Sequence, residues 1–301
     1  MAIAEPAPAK LNLALHVRRR RADGYHELET LFAFARHGDT VTVELAEEEA
    51  FEITGPFAHQ LFAPEAPPRR TPGPSSETSD IGPRPSPGRS EAEPSDNLVL
   101  RAARAFTQRF APDAQHAIHL AKHLPVASGI GGGSADAAAT LRALAHLHGI
   151  DDTPALTEIA RTLGADVPAC LLGRPAFGTG RGDDLQPLAA LGDIPALLVN
   201  PMVAVSTAAV FAAWDGIDCG PLDAGHWREG RNDLEPPARA LAPAIGDVLE
   251  TLDATGATLA RMSGSGATCF ALYATPVARD AAAVEVALAH PDWWYLATSL
   301  I

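Results

Sequence analysis

Between Leu124 and Leu144 the chain reads LPVASGIGGGSADAAATLRAL, four glycines in five positions running straight into an unbroken alanine- and leucine-rich stretch. Glycine at 129, 131, 132 and 133 removes the side chains that would hold a polyanion off the backbone. It also permits the positive φ values that turn successive N–H groups inward. A helix beginning near Ser134 adds its unpaired N–H groups and the positive end of its dipole. Glycine runs are more often flexible loops than binding sites. This one is bounded by Leu124-Pro-Val126 on one side and, on the other, by Ala138, Leu141, Leu144, Ala145 and His148 at helical spacing. The expectation is a loop pinned at both ends that cradles phosphate.

Two familiar phosphate motifs are excluded. A Walker A loop ends in Gly-Lys-Ser/Thr, and Gly133-Ser134 has no lysine. A dinucleotide fingerprint needs G-x-G-x-x-G, but Gly129-Ile-Gly131 is followed by Gly132, Gly133 and Ser134, and no acidic residue follows a second strand at the usual distance.

At 301 residues and 47% hydrophobic, the chain can bury a large core and is long enough for two domains. Its net charge of −14 disfavours a nucleic-acid partner, so any anionic ligand must be met by local donors. No apolar run approaches the roughly 20 residues that cross a bilayer, and the N-terminal arginines follow the apolar stretch, the reverse of a secretory signal. Cys170, Cys219 and Cys269 form no CxxC pair and suit a reducing cytoplasm. Lysine occurs only at Lys10 and Lys122 in a chain that otherwise uses arginine, which marks both positions as places where a compact point charge is wanted, with chance as the plain alternative. The histidines, His116, His119, His123, His146 and His148 included, lack partners at ligand spacing, so no protein metal ligand is assigned.

The pattern predicts strands at 10–17, 28–34, 40–45, 117–120 and 196–200. It predicts a helix from Asp96, as its cap, to about Phe110, and another capped by Thr153 and closed by Gly164. A helix near 240–254 and strands at 257–262 and 268–273, split by Ser263-Gly-Ser-Gly266, complete a smaller α/β sandwich. Residues 59–95 are rich in proline, serine, glycine and charge, and read as a disordered insertion.

The glycine loop resembles the P-x-x-x-G-L-G-S/G-S-S-A motif of the GHMP kinases, small-molecule kinases unrelated to P-loop proteins. Four segments sharpen the likeness toward the branch acting on diphosphocytidyl-methylerythritol. These are Pro8-Ala-Lys-Leu-Asn-Leu13 with Arg21-Ala-Asp-Gly-Tyr-His26, the loop itself, Leu163-Gly-Ala-Asp-Val-Pro168 and Met262-Ser-Gly-Ser-Gly-Ala267. Asn232-Asp-Leu-Glu235 is also typical of the family.

The resemblance implies an α+β, two-domain fold, residues 1–188 similar to ribosomal protein S5 domain 2 and residues 189–301 a ferredoxin-like α/β sandwich. It implies γ-phosphoryl transfer from ATP, with Mg²⁺, to a tertiary 2-hydroxyl in a small-molecule step of isoprenoid precursor synthesis, by a cytoplasmic monomer or homodimer. Asp166 matches the catalytic aspartate, as base or orienter, and Lys10 its partner; alone, Gly-Ala-Asp would be a helix-exit turn. Pro125, Val126, Ala127, Ser128, Gly129, Ile130, Gly131, Gly132, Gly133, Ser134 and Ala135 would wrap the ATP phosphates, with Asn97 and Lys122 near the adenosine. Ala127 and Ser128 stand where this branch often has glycine, which implies a stiffer loop. Ser263, Gly264, Ser265 and Gly266 would approach the phosphates, although a tight hairpin is the simpler reading of that tetrapeptide. Tyr25, His26 and Phe211 would form a cytidine pocket, and Asn12 and Thr207 would lie near the methylerythritol; for Phe211 a core position is the alternative. A GHMP kinase for homoserine or mevalonate, or a non-catalytic nucleotide binder, are the competing readings.

Overall fold

The computed structural model describes residues 1–61 and 97–301. Two long antiparallel strands open the chain, β1 (Ala2–Arg20) and β2 (His26–Ala46). Where the sequence suggested two strands interrupted at Arg36-His-Gly-Asp39, β2 runs through. Gly38 is what allows it, because a Cβ there would lie 2.1 Å from the Ala7 carbonyl oxygen on the partner strand. The register shifts between Pro8 and Lys10 and again between Asn12 and Ala14. Such bulges re-aim side chains, and they do so here at two residues of the predicted site.

Then follow β3 (Ala50–Thr54), a 3₁₀ turn at Ala58–Leu61, α1 (Leu98–Phe110), β4 (Gln115–Ala121) and α2 (Gly132–His148). The sequence-based insertion at 59–95 lies outside the described residues from 62 onward. Its first three residues are instead part of the 3₁₀ turn, where Gln60 accepts a 3.1 Å hydrogen bond from the N–H of Val126. Asp96, expected to cap α1, also lies outside the described residues, and Asn97 accepts from the N–H of Val99 at 2.8 Å in the capping position. α2 starts two residues earlier than expected, capped by Gly131 in the left-handed region without any side-chain hydrogen bond.

The chain continues through α3 (Thr153–Leu163), α4 (Val167–Leu172), β5 (Ala176–Thr179), β6 (Asp184–Pro187), β7 (Ile194–Asn200) and α5 (Thr207–Ala213). It ends with α6 (Glu235–Leu241), α7 (Ala244–Ala254), β8 (Leu259–Met262), β9 (Cys269–Leu272), α8 (Pro276–Ala289) and β10 (Trp294–Leu300). Asp152, not Thr153, caps α3, its carboxylate accepting from Ala155 at 3.0 Å. The single helix expected near 240–254 is two, because Pro243 has no N–H to continue the ladder.

In the first half the sheet order is β3-β4-β2, with β1 and β5 also on β2 and β6 on β5; α1 connects the parallel pair β3 and β4. In the second half β10-β7-β9-β8 pair antiparallel, and the β-α-β-β-α-β order is that of a ferredoxin-like unit. The two sheets touch through one register pair, Leu300 with Ala35. α2 packs on β1, β2 and α1 through Ala137, Ala138, Leu141 and Leu144, all fully buried, and its small residues let the backbone of its first turn come close to β1. Each buried leucine there contributes about 1.5–3 kcal/mol. A separate core fills the second half, and Leu15, Val17 and Leu28 of the long hairpin reach into it, so the hairpin carries residue 10 and its neighbours to the cleft between the halves. Among the described residues no helix is long and apolar enough to cross a membrane.

Candidate active site

The glycine loop is held in place from three sides. Its Ile130 carbonyl accepts from the N–H of Lys10 at 2.9 Å, tying it to β1. The Ser128 carbonyl accepts from Thr268, and the Gly129 carbonyl from the Ser263 hydroxyl at 3.1 Å, tying it to the loop between β8 and β9. Close approach explains two glycines directly. At Gly129 a Cβ would meet the Gly266 carbonyl oxygen at 2.5 Å, and at Gly131, with φ of 63°, it would meet Lys10 Cε at 2.9 Å. Ala127 carries a positive φ of 51° without being glycine, so the departure from the resembling motif stores about 1–2 kcal/mol of backbone strain.

Lys10 is 3% exposed, and its Nζ lies 3.0 Å from Asp166 Oδ2 and 2.8 Å from Asn12 Oδ1. Asp166 occupies the N-cap of α4 but spends no side-chain bond on it, so the carboxylate, half open to the cleft, is free for a ligand. Asn12 gives its amide to Thr30 at 2.8 Å, and its backbone N–H donates to Ser263 Oγ. Asn232 donates to the carbonyls of both Met262 and Gly264 at 2.8 Å, holding the second loop against the first. Cys170, one turn into α4, supplies no thiolate: burial, then Asp166, pushes its thiol up to about 12.

Three adjoining cavities run through the cleft. The central one, about 400 Å³, is lined by Lys10, Asn12, Asp166, Ala127, Ser128, Gly129, Gly131 to Ser134, Gly264 and Ser265. A second, about 250 Å³, shares Ala127, Leu98 and Gly133 with it and adds Asn97, Lys122, Val126 and the aliphatic Leu61, Val99 and Leu120. A third, about 690 Å³, lies on the other side and is lined by Tyr25, His26, Thr207, Phe211 and Arg181. There the His26 and Phe211 rings lie 4.9 Å apart, and the exposed Tyr25 ring has the Arg181 guanidinium 5.1 Å above it. Burial first, then Arg20, holds His26 below its ordinary value, and its Nε2 has no partner among the described residues. A neutral imidazole with an open nitrogen can meet the edge of a base.

Most of the residues singled out in the sequence come together, and some do so differently from expectation. Pro125, Ile130 and Ala135 line none of the three cavities, because their side chains are buried as anchors of the loop. Ser263 and Gly266 likewise pack inward, leaving Gly264 and Ser265 at the surface of the central cavity. Lys122 borders the second cavity, but its ammonium is sealed in a buried triad, 2.5 Å from Asp39 and 2.7 Å from Asp136. Asp39 also accepts from the backbone N–H groups of His123 and Leu124, fixing the entry to the glycine loop. Sequence reasoning missed Asp39, Asp136 and Arg181. A lone acid inside the run Ser134-Ala-Asp-Ala-Ala, and a cation set between glycines in Gly180-Arg-Gly182, were the signals available. Among the described residues no group of three or more His, Cys, Asp or Glu could hold a metal ion.

A cleft between two α/β halves, floored by a glycine loop and a helix N-terminus with a Lys–Asp pair beside them, is the architecture of a GHMP kinase. The GHMP kinases N terminal domain matches residues 97–174, and the GHMP kinases C terminal domain matches residues 220–292. The 4-diphosphocytidyl-2-C-methyl-D-erythritol kinase of Rhizorhabdus wittichii is 49% identical, covering 98% of this chain and 94% of its own length; that of Sphingopyxis alaskensis is 45% identical, covering 97% and 96%. A crystal structure of a 4-(cytidine 5'-diphospho)-2C-methyl-D-erythritol kinase superposes with a TM-score of 0.75 at 35% identity over 100% of this chain and 99% of the other. The fold is shared more widely, as with a homoserine kinase from Cytophaga hutchinsonii, TM-score 0.68 at 19% identity, 100% and 97% covered. The chain belongs to the GHMP kinases and, within them, to the family of the 4-diphosphocytidyl-2-C-methyl-D-erythritol kinases.

Proposed function

We propose that this chain transfers the γ-phosphoryl group of ATP to the 2-hydroxyl of 4-diphosphocytidyl-2-C-methyl-D-erythritol, in the cytoplasm, as a step toward isoprenoid precursors. The observation that carries this reading is the Lys10–Asp166 pair, 3.0 Å apart in the glycine-loop cavity, with the neighbouring Ala165 in the wall which that cavity shares with the aromatic one. Phosphoryl transfer asks mainly for alignment and for donors aimed at the transferring oxygens. The backbone of Ala127 to Ser134 and the uncapped first turn of α2 supply those donors on one side, Gly264 and Ser265 on the other. The acceptor oxygen attacks phosphorus as the bond to the β–γ bridging oxygen breaks, ADP leaves, and the hydroxyl proton passes to Asp166. Lys10, 3.0 Å away, holds that carboxylate in one orientation before the transfer.

Asn97 and Lys122 border the cavity that suits the adenosine, while Tyr25, His26 and Phe211 suit stacking and edge contacts with cytosine, and Asn12 and Thr207 lie between. Mg²⁺ fits this donor set as an ion ligated mostly by phosphate and water, with the Ser134 hydroxyl at the cavity wall as the protein's contribution; when bound it neutralises charge on the phosphates. The test is ADP release with ATP and Mg²⁺, comparing diphosphocytidyl-methylerythritol with homoserine, mevalonate and free methylerythritol. Turnover that requires the cytidyl group supports the reading. Turnover on homoserine or mevalonate would keep the catalytic pair and discard the cytidine pocket, and no turnover on any acceptor would leave only a nucleotide binder.

A further inference from the structure

The central and aromatic cavities share a wall made of Leu28, Ala165, Arg181, Thr207 and Phe211, and among the described residues Arg181 is the one cation in it. An acceptor with its base among the aromatic rings and its hydroxyl at Asp166 has to pass its diphosphate along this wall. Lys10 borders only the central cavity and Arg20 only the aromatic one. Lys10 is bonded to Asp166 and Asn12, and Arg20 gives its Nη2 to the carbonyls of Ala212 and Trp214.

Arg181 borders both cavities. Its Nη2 donates to Asp183 at 2.6 Å, and its Nε and Nη1 make no side-chain hydrogen bond of good geometry among the described residues. The guanidinium is kept in one plane by that bond and by the Tyr25 ring 5.1 Å away. Its turn is anchored too, because Gly180 and Gly182 take positive φ values of 68° and 93° on either side and the Gly180 carbonyl accepts from Leu28 of β2 at 2.7 Å. In a chain of net charge −14 that already holds ATP, a second polyanion needs a local cation on its path, and a planar fork suits phosphate oxygens.

We infer that Arg181 binds the diphosphate of the acceptor and that Asp183 positions it. This rests on the proposed reading of the acceptor as a cytidine diphosphate ester. The experiment is calorimetric titration of CDP and of cytidine into the wild-type protein, Arg181→Gln and Arg181→Lys. A charge-assisted contact of this kind is worth roughly tenfold to a hundredfold in affinity. CDP affinity falls by that factor in Arg181→Gln and recovers in part in Arg181→Lys, while cytidine affinity stays within about twofold in all three. Equal losses for CDP and cytidine would make Arg181 a support for the Tyr25 stack alone, and no loss for either would remove it from the site; each outcome overturns the inference. Wild-type protein that bound neither CDP nor cytidine would overturn the reading of the acceptor itself, and this inference with it.

Discussion

Replacing Lys122 by Met removes an ammonium from the centre of a buried triad while keeping a side chain of similar length in place. Lys122, Asp39 and Asp136 have side chains that are 1%, 0% and 3% exposed, so water cannot replace the lost partner. Breaking a buried ion pair from one side costs about 3–5 kcal/mol. For a chain of 301 residues the unfolding entropy is about 0.6 kcal/mol/K, so Tm should fall by roughly 5–8 °C. The pH dependence makes the test sharper. Burial pushes Asp136 up to about 8, with Lys122 acting against that rise and Asp39 adding to it. A carboxylate raised above its unfolded value binds its proton more tightly when folded. The stability it contributes is therefore full below about pH 4 and is lost as pH rises through about 8. Without Lys122 the protonated form is favoured further, so the substitution should cost less at about pH 5 than at about pH 9. Thermal unfolding followed by circular dichroism across that range, with KM for ATP measured alongside, checks both points. A Tm unchanged within about 1 °C, together with a raised KM for ATP, would refute the triad argument and make Lys122 a direct contact to the nucleotide.

Three further outcomes are expected. Gly131→Ala forces a Cβ to within 2.9 Å of Lys10 Cε at a φ of 63°, and kcat/KM should fall at least about tenfold in a steady-state assay, whereas unchanged kinetics would contradict the close approach. Asp166→Asn should lower kcat by about 10²–10⁴-fold while ATP binding by calorimetry is nearly unchanged, and parallel losses would mark Asp166 as structural. Burial, then His148, lowers His116, whose Nε2 is 2.8 Å from that of His148. A histidine depressed below 6.5 contributes stability that is full above that pH and lost as pH falls, so urea midpoints should drop on acidification less steeply in His116→Asn than in the wild type.

What could be read from the sequence was whatever depends on local chain chemistry. The glycine loop and the helix after it were legible because glycine freedom and helical spacing are written in neighbouring residues, whereas Asp166 at the start of α4 stood out only through the family resemblance. The triad was not. Asp39 lies in β2, Lys122 just after β4 and Asp136 in α2, and only the tertiary fold brings them within hydrogen-bond distance. The sequence pattern divides β2 into strands at 28–34 and 40–45, and the strand persists because Gly38, paired with Pro8, lets the backbone lie against the Ala7 carbonyl. Arg181 was overlooked for the same reason, since its partner ring, Tyr25, lies far away along the chain.

The most direct measurement is the ³¹P NMR spectrum of the product formed from ATP and diphosphocytidyl-methylerythritol. Carbon 2 of the methylerythritol unit bears no hydrogen, so a phosphate placed on its oxygen gives an unsplit phosphomonoester resonance beside an intact diphosphate. That spectrum, appearing with ADP and lost in Asp166→Asn, is the predicted result. A phosphomonoester split by a neighbouring C–H would mean transfer to another hydroxyl, and loss of the diphosphate signals would mean attack on the acceptor's own phosphates; either would contradict the account.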